Sequence, residues 1–315
     1  MTDLPRYRDL PLAEGGARSG WGLFGEDDQL GLMNLQTAER VTKAAALVRT
    51  GEVFPLDAGI EHPDPPLFGR GAPRRRLLEP RPSWYFDDAF DDVYPQASSQ
   101  WDALGHIGFR EDVFYNGASA DDVRAGRRNT MEHWARRGIA GRGVLLDLRR
   151  ADPNYDAASS HAFTVDDLER ARTAAGIEYE PGDVLLLHTG FLGEHRRRSA
   201  AHRQRQAVRA QLAAPGVEHT EAMAEYLWDA RISAAVGDNP TVEVWPPDER
   251  REAWPFGYLH YVLIGQLGLA LGELWWLEDL AAACAARDRA TFFLASAPTN
   301  AAGAVGSAAN ALAIL

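Results

Sequence analysis

Four short apolar runs, separated by longer polar stretches, dominate the hydropathy pattern of the second half of the chain. They cover residues 143–148, 183–188, 232–237 and 291–295. Runs of this length that are rich in Val, Leu, Ile or Phe are typical of buried strands. A Pro-Gly pair precedes the second run and an Asp-Asn-Pro turn follows the third, which supports strand ends at these points.

The stretches around these runs have the spacing and end signals of helices. Thr164 is a candidate N-cap, and Asp166 and Asp167 place negative charge in the first turn that follows. Other predicted helices cover residues 37–49, 200–212, 219–229 and 259–271. Apolar strands that alternate with helices predict an α/β fold with a largely buried sheet.

Two regions show little periodicity. Residues 1–33 are Gly-rich and acidic, and we interpret them as an irregular N-terminal arm. Residues 61–95 are rich in Pro, Arg and Asp and predict a long loop excursion, a feature that is often functional within a compact domain. Since the chain has no internal repeat and no low-complexity linker, we interpret residues 1–315 as a single domain.

Composition and charge limit the classes of protein to which this chain can belong. The net charge of −12 argues against a nucleic-acid partner, because such proteins need Lys- and Arg-rich surfaces. The start of the chain lacks a signal-peptide pattern, and no apolar stretch approaches the ~18 residues of a membrane span. Cys284 is the single cysteine, which excludes an intrachain disulfide. We therefore expect a cytoplasmic protein with no membrane partner.

Candidate catalytic and ligating residues lie in two places. Residues 96–106 read QASSQWDALGH, with Asp102 four positions before His106. Further along, His260 lies among apolar residues, and Glu273 lies in a Leu-Gly-Glu-Leu context. Taken alone, Asp102 is more typical of a helix cap, and His260 is more typical of a hydrogen-bonded core histidine than of a ligand. A carboxylate among apolar neighbours is rarely buried without a partner, so Glu273 favours pairing with a metal or a histidine.

Several other residues receive structural interpretations. His188, at the end of a predicted strand, could point into the site but is more typical of structural packing. Glu278 and Asp279 are assigned to an exposed helix start. The aromatic residues 84–86 could wall an apolar substrate or simply pack. No role is assigned to His161, His195, His202 and His219.

Residues 96–106 resemble the signature His-x-Gly-Thr-His-x-Asp-x-Pro-x-His of the cyclase family of metal-dependent hydrolases, which includes kynurenine formamidase and isatin hydrolase. Asp102 and His106 match the Asp and the last His of that signature, while Gln96 and Gln100 stand at its two leading His positions. Further segments similar to the family lie at 27–34, 141–147, 182–190, 238–240, 260–273 and 306–314.

The resemblance implies the family's swivelling β/β/α fold, an α/β architecture with a compact β-barrel-like core and surrounding helices. It also implies a small-molecule substrate and a homo-oligomer. Carried over to this chain, it makes Asp102 a metal ligand and His106 the general acid/base. His260 and Glu273 become ligand candidates, and Gln96 and Gln100 occupy the remaining ligand positions.

The ligand set Gln96, Gln100, Asp102, His260 and Glu273 is rich in oxygen and contains one imidazole. Oxygen donors suit Mn²⁺ better than Zn²⁺, so we expect a divalent metal, Mn in preference to Zn. The alternative is a site without metal, in which the Gln amides donate hydrogen bonds to a carbonyl oxygen. In that case Asp102 would orient His106 as a base for water.

The sequence thus predicts a metal-dependent hydrolase that opens a small cyclic or N-acyl amide, or a lactone, through an activated water. One alternative is a dehydrating cyclase or isomerase that closes a ring with the same Asp102 and His106. The other is a protein that kept the fold for binding and lost catalysis. The two Gln replacements favour this last alternative, while the retained Asp102, His106, His260 and Glu273 argue against it.

Overall fold

The computed structural model describes residues 4–152 and 154–315. Its strands, in chain order, are β1 (Val53–Pro55), β2 (Arg74–Arg81), β3 (Tyr85–Asp91), β4 (Gln100–Asp102), β5 (Ile139–Asp147), β6 (Ala162–Phe163), β7 (Val184–His188), β8 (Gly216–Val217), β9 (Ala234–Gly237), β10 (Ala270–Glu273), β11 (Thr291–Ser296), β12 (Gly306–Ala308) and β13 (Ala311–Ile314). Its α-helices are α1 (Ala38–Ala45), α2 (Ala120–Arg124), α3 (Glu132–Arg137), α4 (Leu148–Ala151), α5 (Val165–Ala174), α6 (Phe191–Arg197), α7 (Ala200–Gln206), α8 (Glu221–Asp229), α9 (His260–Leu263) and α10 (Glu278–Arg287).

One mixed sheet of nine strands organises the described residues, in the order β1-β13-β11-β5-β7-β9-β10-β4-β12. Its centre is parallel, since β5, β7, β9 and β10 run in the same direction. The flanking strands β11, β13, β1, β4 and β12 are antiparallel to their neighbours. The carboxyl ends of the parallel strands therefore meet at one edge, where ligands bind in open α/β sheets.

The apolar runs of the sequence form the middle of this sheet. Residues 143–148, 183–188, 232–237 and 291–295 correspond to β5, β7, β9 and β11, as predicted. Every residue of β7 and β9 is buried, because both faces of these strands are covered. The prediction of an α/β fold is confirmed.

Helix α5 begins as its sequence predicts. The Thr164 side chain accepts a hydrogen bond from the Asp167 backbone N–H, and the Asp167 carboxylate accepts one from the Thr164 backbone N–H. This reciprocal capping box satisfies two amide groups that a helix start would otherwise leave unpaired. Helices α1, α7 and α8 begin near the predicted positions, but α7 ends at Gln206, before a short 3-10 turn over Arg209–Gln211.

Two predictions of local structure are wrong. Residues 61–95 are not an irregular loop throughout, because β2 and β3 form an antiparallel hairpin with the aromatic residues 84–86 at and beside its turn. Residues 259–271 are not one helix: α9 has four residues, and the apolar stretch continues into β10. The second error arises because a short apolar run in a buried position fits a helix and a strand equally well. The first has another cause, since the hairpin strands are exposed and rich in charged residues and so lack the apolar pattern of a buried strand.

The described part of the N-terminal arm is held against the body of the protein although it contains only 3-10 turns as helices. Tyr7, Leu10 and Leu32 are almost completely buried in the main hydrophobic cluster. Residues 1–3 of the predicted arm lie outside the described residues. Among residues 4–152 and 154–315, no helix has both the length and the apolar character that crossing a membrane requires.

Candidate functional site

Strand β4 carries two of the predicted site residues on one face of the sheet. Gln100 and Asp102 point to the same side because alternate residues of a strand do so, and both are fully buried. Glu273, the last residue of β10, pairs directly with Gln100 across the ladder. The Gln100 amide Nε2 donates a hydrogen bond of 2.5 Å to Glu273 Oε2.

His260 completes this group from the start of α9. Its Nε2 lies 3.0 Å from Glu273 Oε1 and 3.9 Å from Asp102 Oδ2. One ligating atom of each of Asp102, His260 and Glu273 lies within 4.8 Å of the others. The fold therefore brings together three of the residues that the sequence singled out, although 171 positions separate Asp102 from Glu273.

His106 lies at the more open side of this group. It follows β4 in a turn closed by its backbone N–H bond to the Ala103 carbonyl. Its Nε2 is 3.5 Å from Asp102 Oδ1, and its side chain is 21% exposed, while that of Asp102 is inaccessible. His106 is therefore the residue of this group that solvent can reach.

Gln96 is placed beside the group by a 3-10 turn, Pro95–Ala97. Its side-chain amide covers Gly306, where a Cβ atom would lie only 2.1 Å from Gln96 Nε2. Gly306 pairs with Asp102 across β12 and β4, so Gln96 covers the position next to Asp102 on the same face. The absence of a side chain at Gly306 is what allows this approach.

Glu243 is a site residue that the sequence analysis missed. Its carboxylate contacts His260 Nδ1 and the Leu259 backbone N–H, accepts the His260 backbone N–H at 3.0 Å, and lies 3.2 Å from His219 Nε2. Glu243 thus fixes the position and tautomer of the His260 ring. The available signal was a lone carboxylate between two apolar residues, the same signal that singled out Glu273.

The backbone beside both carboxylates is strained. Val242, which precedes Glu243, has a φ of 56°, and Leu274, which follows Glu273, has a φ of 55°. Left-handed backbone is unfavourable for such side chains and occurs most often where a site requires it. Leu274 is held there by a hydrogen bond from its N–H to the Asn239 carbonyl.

Burial and neighbouring charges set the protonation of the group. Burial raises the pKa of Asp102 to about 6, with His106 opposing this shift and Glu273 adding to it. Burial alone would lower the pKa of His260, but its hydrogen bonds to Glu243 and Glu273 raise it to about 10. Burial lowers the pKa of His106, with Asp102 opposing the shift. Without a bound ion, His260 is a cation between carboxylates while His106 is neutral near pH 7.

Arg70 is a second residue that the sequence analysis did not single out. Its guanidinium contacts the Gln96 carbonyl and lies 4.9 Å from the centre of the Phe68 ring. Its positive charge lowers the pKa of both Asp102 and His106, although burial and the nearer charged groups have larger effects on these pKa values.

An aromatic wall adjoins the group. The Tyr258 ring stacks on His260 with centroids 4.5 Å apart and an interplanar angle of 4°. Trp245 packs edge-on against Tyr258 and against Phe68. The alternative in which residues 84–86 wall the site is not supported, since Trp84 is 80% exposed on the hairpin.

The donor set fits a divalent metal. Both carboxylate oxygens of Asp102 and the Gln100 Oε1 atom are buried without a hydrogen-bond partner among the described residues. Unpartnered buried oxygens are costly, and a cation on this face would satisfy them. Asp102, Glu273 and His260 would hold the ion, with Gln100 Oε1 as a further oxygen donor on the same face.

Comparisons with known proteins identify the family of this chain. Residues 54–244, more than half of the chain, match the cyclase family model described as "Putative cyclase". The chain belongs to the cyclase family. A solved structure described as a novel cyclase is 29% identical over 94% of this chain and 99% of its own, with a TM-score of 0.82. A search of curated proteins finds no match.

More distant solved structures share the fold. Isatin hydrolase A from Labrenzia aggregata, bound to benzyl benzoate, is 17% identical over 86% of this chain and 94% of its own, with a TM-score of 0.57. An isatin hydrolase bound to the product analogue thioisatinate is 12% identical over 89% and 99%, also with a TM-score of 0.57. The predicted cyclase-type fold with a barrel-like β core is confirmed.

Proposed function

We propose that this cyclase-family protein is a metal-dependent hydrolase that opens a small cyclic or N-acyl amide, or a lactone. The observation that carries the proposal is the pair of unpartnered, buried Asp102 oxygens beside His260 and Glu273. A divalent ion held there would lower the pKa of a bound water and polarise the substrate carbonyl. The relatives described as isatin hydrolases support an amide substrate.

His106 is the proton carrier in this proposal. It is neutral near pH 7 because burial lowers its pKa, so its Nε2 can accept a proton from the attacking water. Asp102 Oδ1, 3.5 Å away, stabilises the imidazolium that results. The same Nε2 then returns the proton to the leaving nitrogen or oxygen. The partial exposure of His106 allows the substrate to reach it.

His260 and Glu243 have a supporting role. To bind a cation through Nε2, His260 must lose the proton that it shares with Glu273. Glu243 then keeps Nδ1 protonated and the ring oriented, as carboxylates commonly do for histidine ligands. With oxygen donors in the majority, the site favours Mn²⁺ over Zn²⁺.

The wall of Tyr258, Trp245 and Phe68 favours a substrate with an apolar or aromatic part. Arg70 lies on the same side and favours a carbonyl or carboxylate group that becomes negative during ring opening.

The proposal is tested by separating metal binding from proton transfer. Asp102→Asn keeps the shape of the side chain but removes its charge, and we expect it to lose the ion of this site together with the hydrolysis of cyclic amides, formamides or lactones. His106→Asn should keep the metal and lose about 10²–10⁴-fold in kcat. Metal content is measured by elemental analysis, and hydrolysis by product mass, which increases by one water on opening.

Two outcomes would contradict the proposal. One is full metal content in Asp102→Asn, which would place the ion elsewhere. The other is a product that has lost water, which would establish the ring-closing reaction instead.

A further inference from the structure

A second group of ionisable side chains lies at the carboxyl edge of the parallel strands. Asp147 ends β5, His188 ends β7, and Asp238 directly follows β9. Glu278, the first residue of α10, faces them. None of these four residues belongs to the Asp102–Glu273 group, so the proposed hydrolase does not account for them.

The His188 ring has the orientation of a metal ligand. Its Nδ1 lies 3.0 Å from Asp147 Oδ1, a contact that fixes the ring and leaves Nε2 facing the group. The residue is only 4% exposed, and Nε2 has no hydrogen-bond partner among the described residues. A carboxylate that holds one ring nitrogen while the other is free is the usual environment of a metal-binding histidine.

Glu278 presents a matching acceptor. Its Oε1 is buried without a hydrogen-bond partner in the described part of the chain and lies 3.6 Å from His188 Nε2. That separation is too long for a good hydrogen bond. It is close to the roughly 3.4 Å that separates two donors bound to one tetrahedral ion at about 2.1 Å. Gly193 allows this position, since a Cβ there would lie 1.8 Å from Oε1.

Asp238 supplies a rigid third donor. Its Oδ1 accepts hydrogen bonds from the Thr189 backbone N–H at 2.7 Å and hydroxyl at 2.6 Å, and its Oδ2 accepts the Gly190 N–H at 2.7 Å. These bonds hold the carboxylate in place, and Oδ2, which accepts only one of them, keeps a lone pair for a ligand. Ligating atoms of His188, Asp238 and Glu278 lie within 4.8 Å of one another.

The excess of negative charge in this group favours a bound cation. Three carboxylates meet one imidazole, and the only guanidinium near Glu278 among the described ion pairs is that of Arg149, at 3.9 Å and 42% exposed. Asp238 is buried, while the Asp147 and Glu278 side chains are 25% and 24% exposed. Carboxylates in such excess around a buried histidine are stable when they are paired or coordinate a metal.

We propose that His188, Asp238 and Glu278 form a second divalent-cation site, with Asp147 orienting His188. The donor set of one imidazole and two carboxylates suits Zn²⁺ or a similar first-row ion and leaves one position open. This site adds to the proposed hydrolase centre and shares no residue with it.

The test counts bound Zn²⁺ after equilibrium dialysis against excess Zn²⁺ at neutral pH. We expect two ions per chain in the unmodified protein and one in Glu278→Gln. Asp279→Asn is the matched control, since it removes the same charge from the exposed neighbouring residue of α10, and it should keep two. An unchanged count in Glu278→Gln would overturn the proposal.

The Asp102→Asn variant separates this proposal from the hydrolase centre. It should retain one ion, which is lost when Glu278→Gln is added. If Asp102→Asn alone changes nothing while Glu278→Gln removes all Zn²⁺, the first centre fails and the second stands.

A measurement that does not depend on the folding of Glu278→Gln is the ring ¹⁵N spectrum of His188 in Zn²⁺-saturated Asp102→Asn protein. We expect a neutral ring with metal-bound Nε2. A ring that stays protonated at both nitrogens would show that His188 is simply an ion-pair partner of Asp147 and Glu278, and would overturn the proposal.

Discussion

At the residue scale, the central feature is a buried histidine cation, whose Nε2 proton would have to leave before a metal ion could bind there. His260 lies between Glu243 and Glu273, which raise its pKa to about 10, and beside Asp102, whose pKa burial raises to about 6. The protein therefore balances the buried carboxylates with a proton when no ion is bound. Metal binding at Nε2 requires that proton to leave.

This competition predicts a pH-dependent metal affinity. Between roughly pH 6 and pH 10, one proton leaves His260 for each ion bound, so the apparent Mn²⁺ affinity should rise about tenfold per pH unit. Below about pH 6, protonated Asp102 adds a second proton and the slope becomes steeper. The measurement is titration calorimetry in buffers of different ionisation enthalpy, which should report about one proton released at pH 7.5.

The control for this prediction is Glu243→Gln, which removes the carboxylate at His260 Nδ1 and so weakens the hold on the proton. Its affinity should depend on pH over a narrower range. An affinity in the unmodified protein that is constant from pH 7 to pH 9 would contradict the prediction.

At the element scale, local signals decide where helices begin, while tertiary packing decides what short apolar runs become. The capping box at Thr164 and Asp167 uses only residues three apart, so it could be identified from the sequence. Residues 270–273 form a strand because they pair with β9 on one side and with β4 on the other. That partnership joins residues far apart in sequence, which no local pattern reports.

The capping box predicts a small, specific loss of stability. Thr164→Ala removes the acceptor of the Asp167 N–H and should cost about 1 kcal/mol in the free energy of unfolding. Thr173→Ala, on an exposed position of the same helix, is the matched control and should cost less than about 0.5 kcal/mol. Urea unfolding followed by circular dichroism measures both free energies. Equal losses would show that the capping hydrogen bond does not stabilise the helix.

At the scale of the whole molecule, strand β4 joins the candidate site to the core. Its outer residues Gln100 and Asp102 face the site, and Trp101 between them faces the opposite way, as the alternation of a strand predicts. Trp101 is fully buried, with ring centroids 4.9 Å from Trp275 and 6.3 Å from Trp134. The position of these candidate ligands thus depends on the packing of the residues behind them.

This arrangement predicts that Trp101→Ala costs about 3–5 kcal/mol in the free energy of unfolding, because it leaves a large cavity in the core. Trp84→Ala is the control, since Trp84 is 80% exposed on the hairpin and its loss should be nearly neutral. Chemical denaturation of the two variants measures the difference. Similar stabilities would mean that β4 is not anchored through Trp101.

The sequence by itself determined the buried strands and the capped helices, because each has a signal within a few neighbouring positions. Its resemblance to the cyclase family singled out the candidates Asp102, His106, His260 and Glu273. Only the tertiary structure decided how they meet. It showed that Asp102, His260 and Glu273 share one buried face, that Glu243 holds His260, and that residues 74–91 form a hairpin. The group of His188, Asp238 and Glu278 was likewise hidden in the sequence, since each of its residues has an ordinary local context. Such groups arise where the ends of parallel strands converge, and that convergence depends on strand order, which hydropathy does not encode.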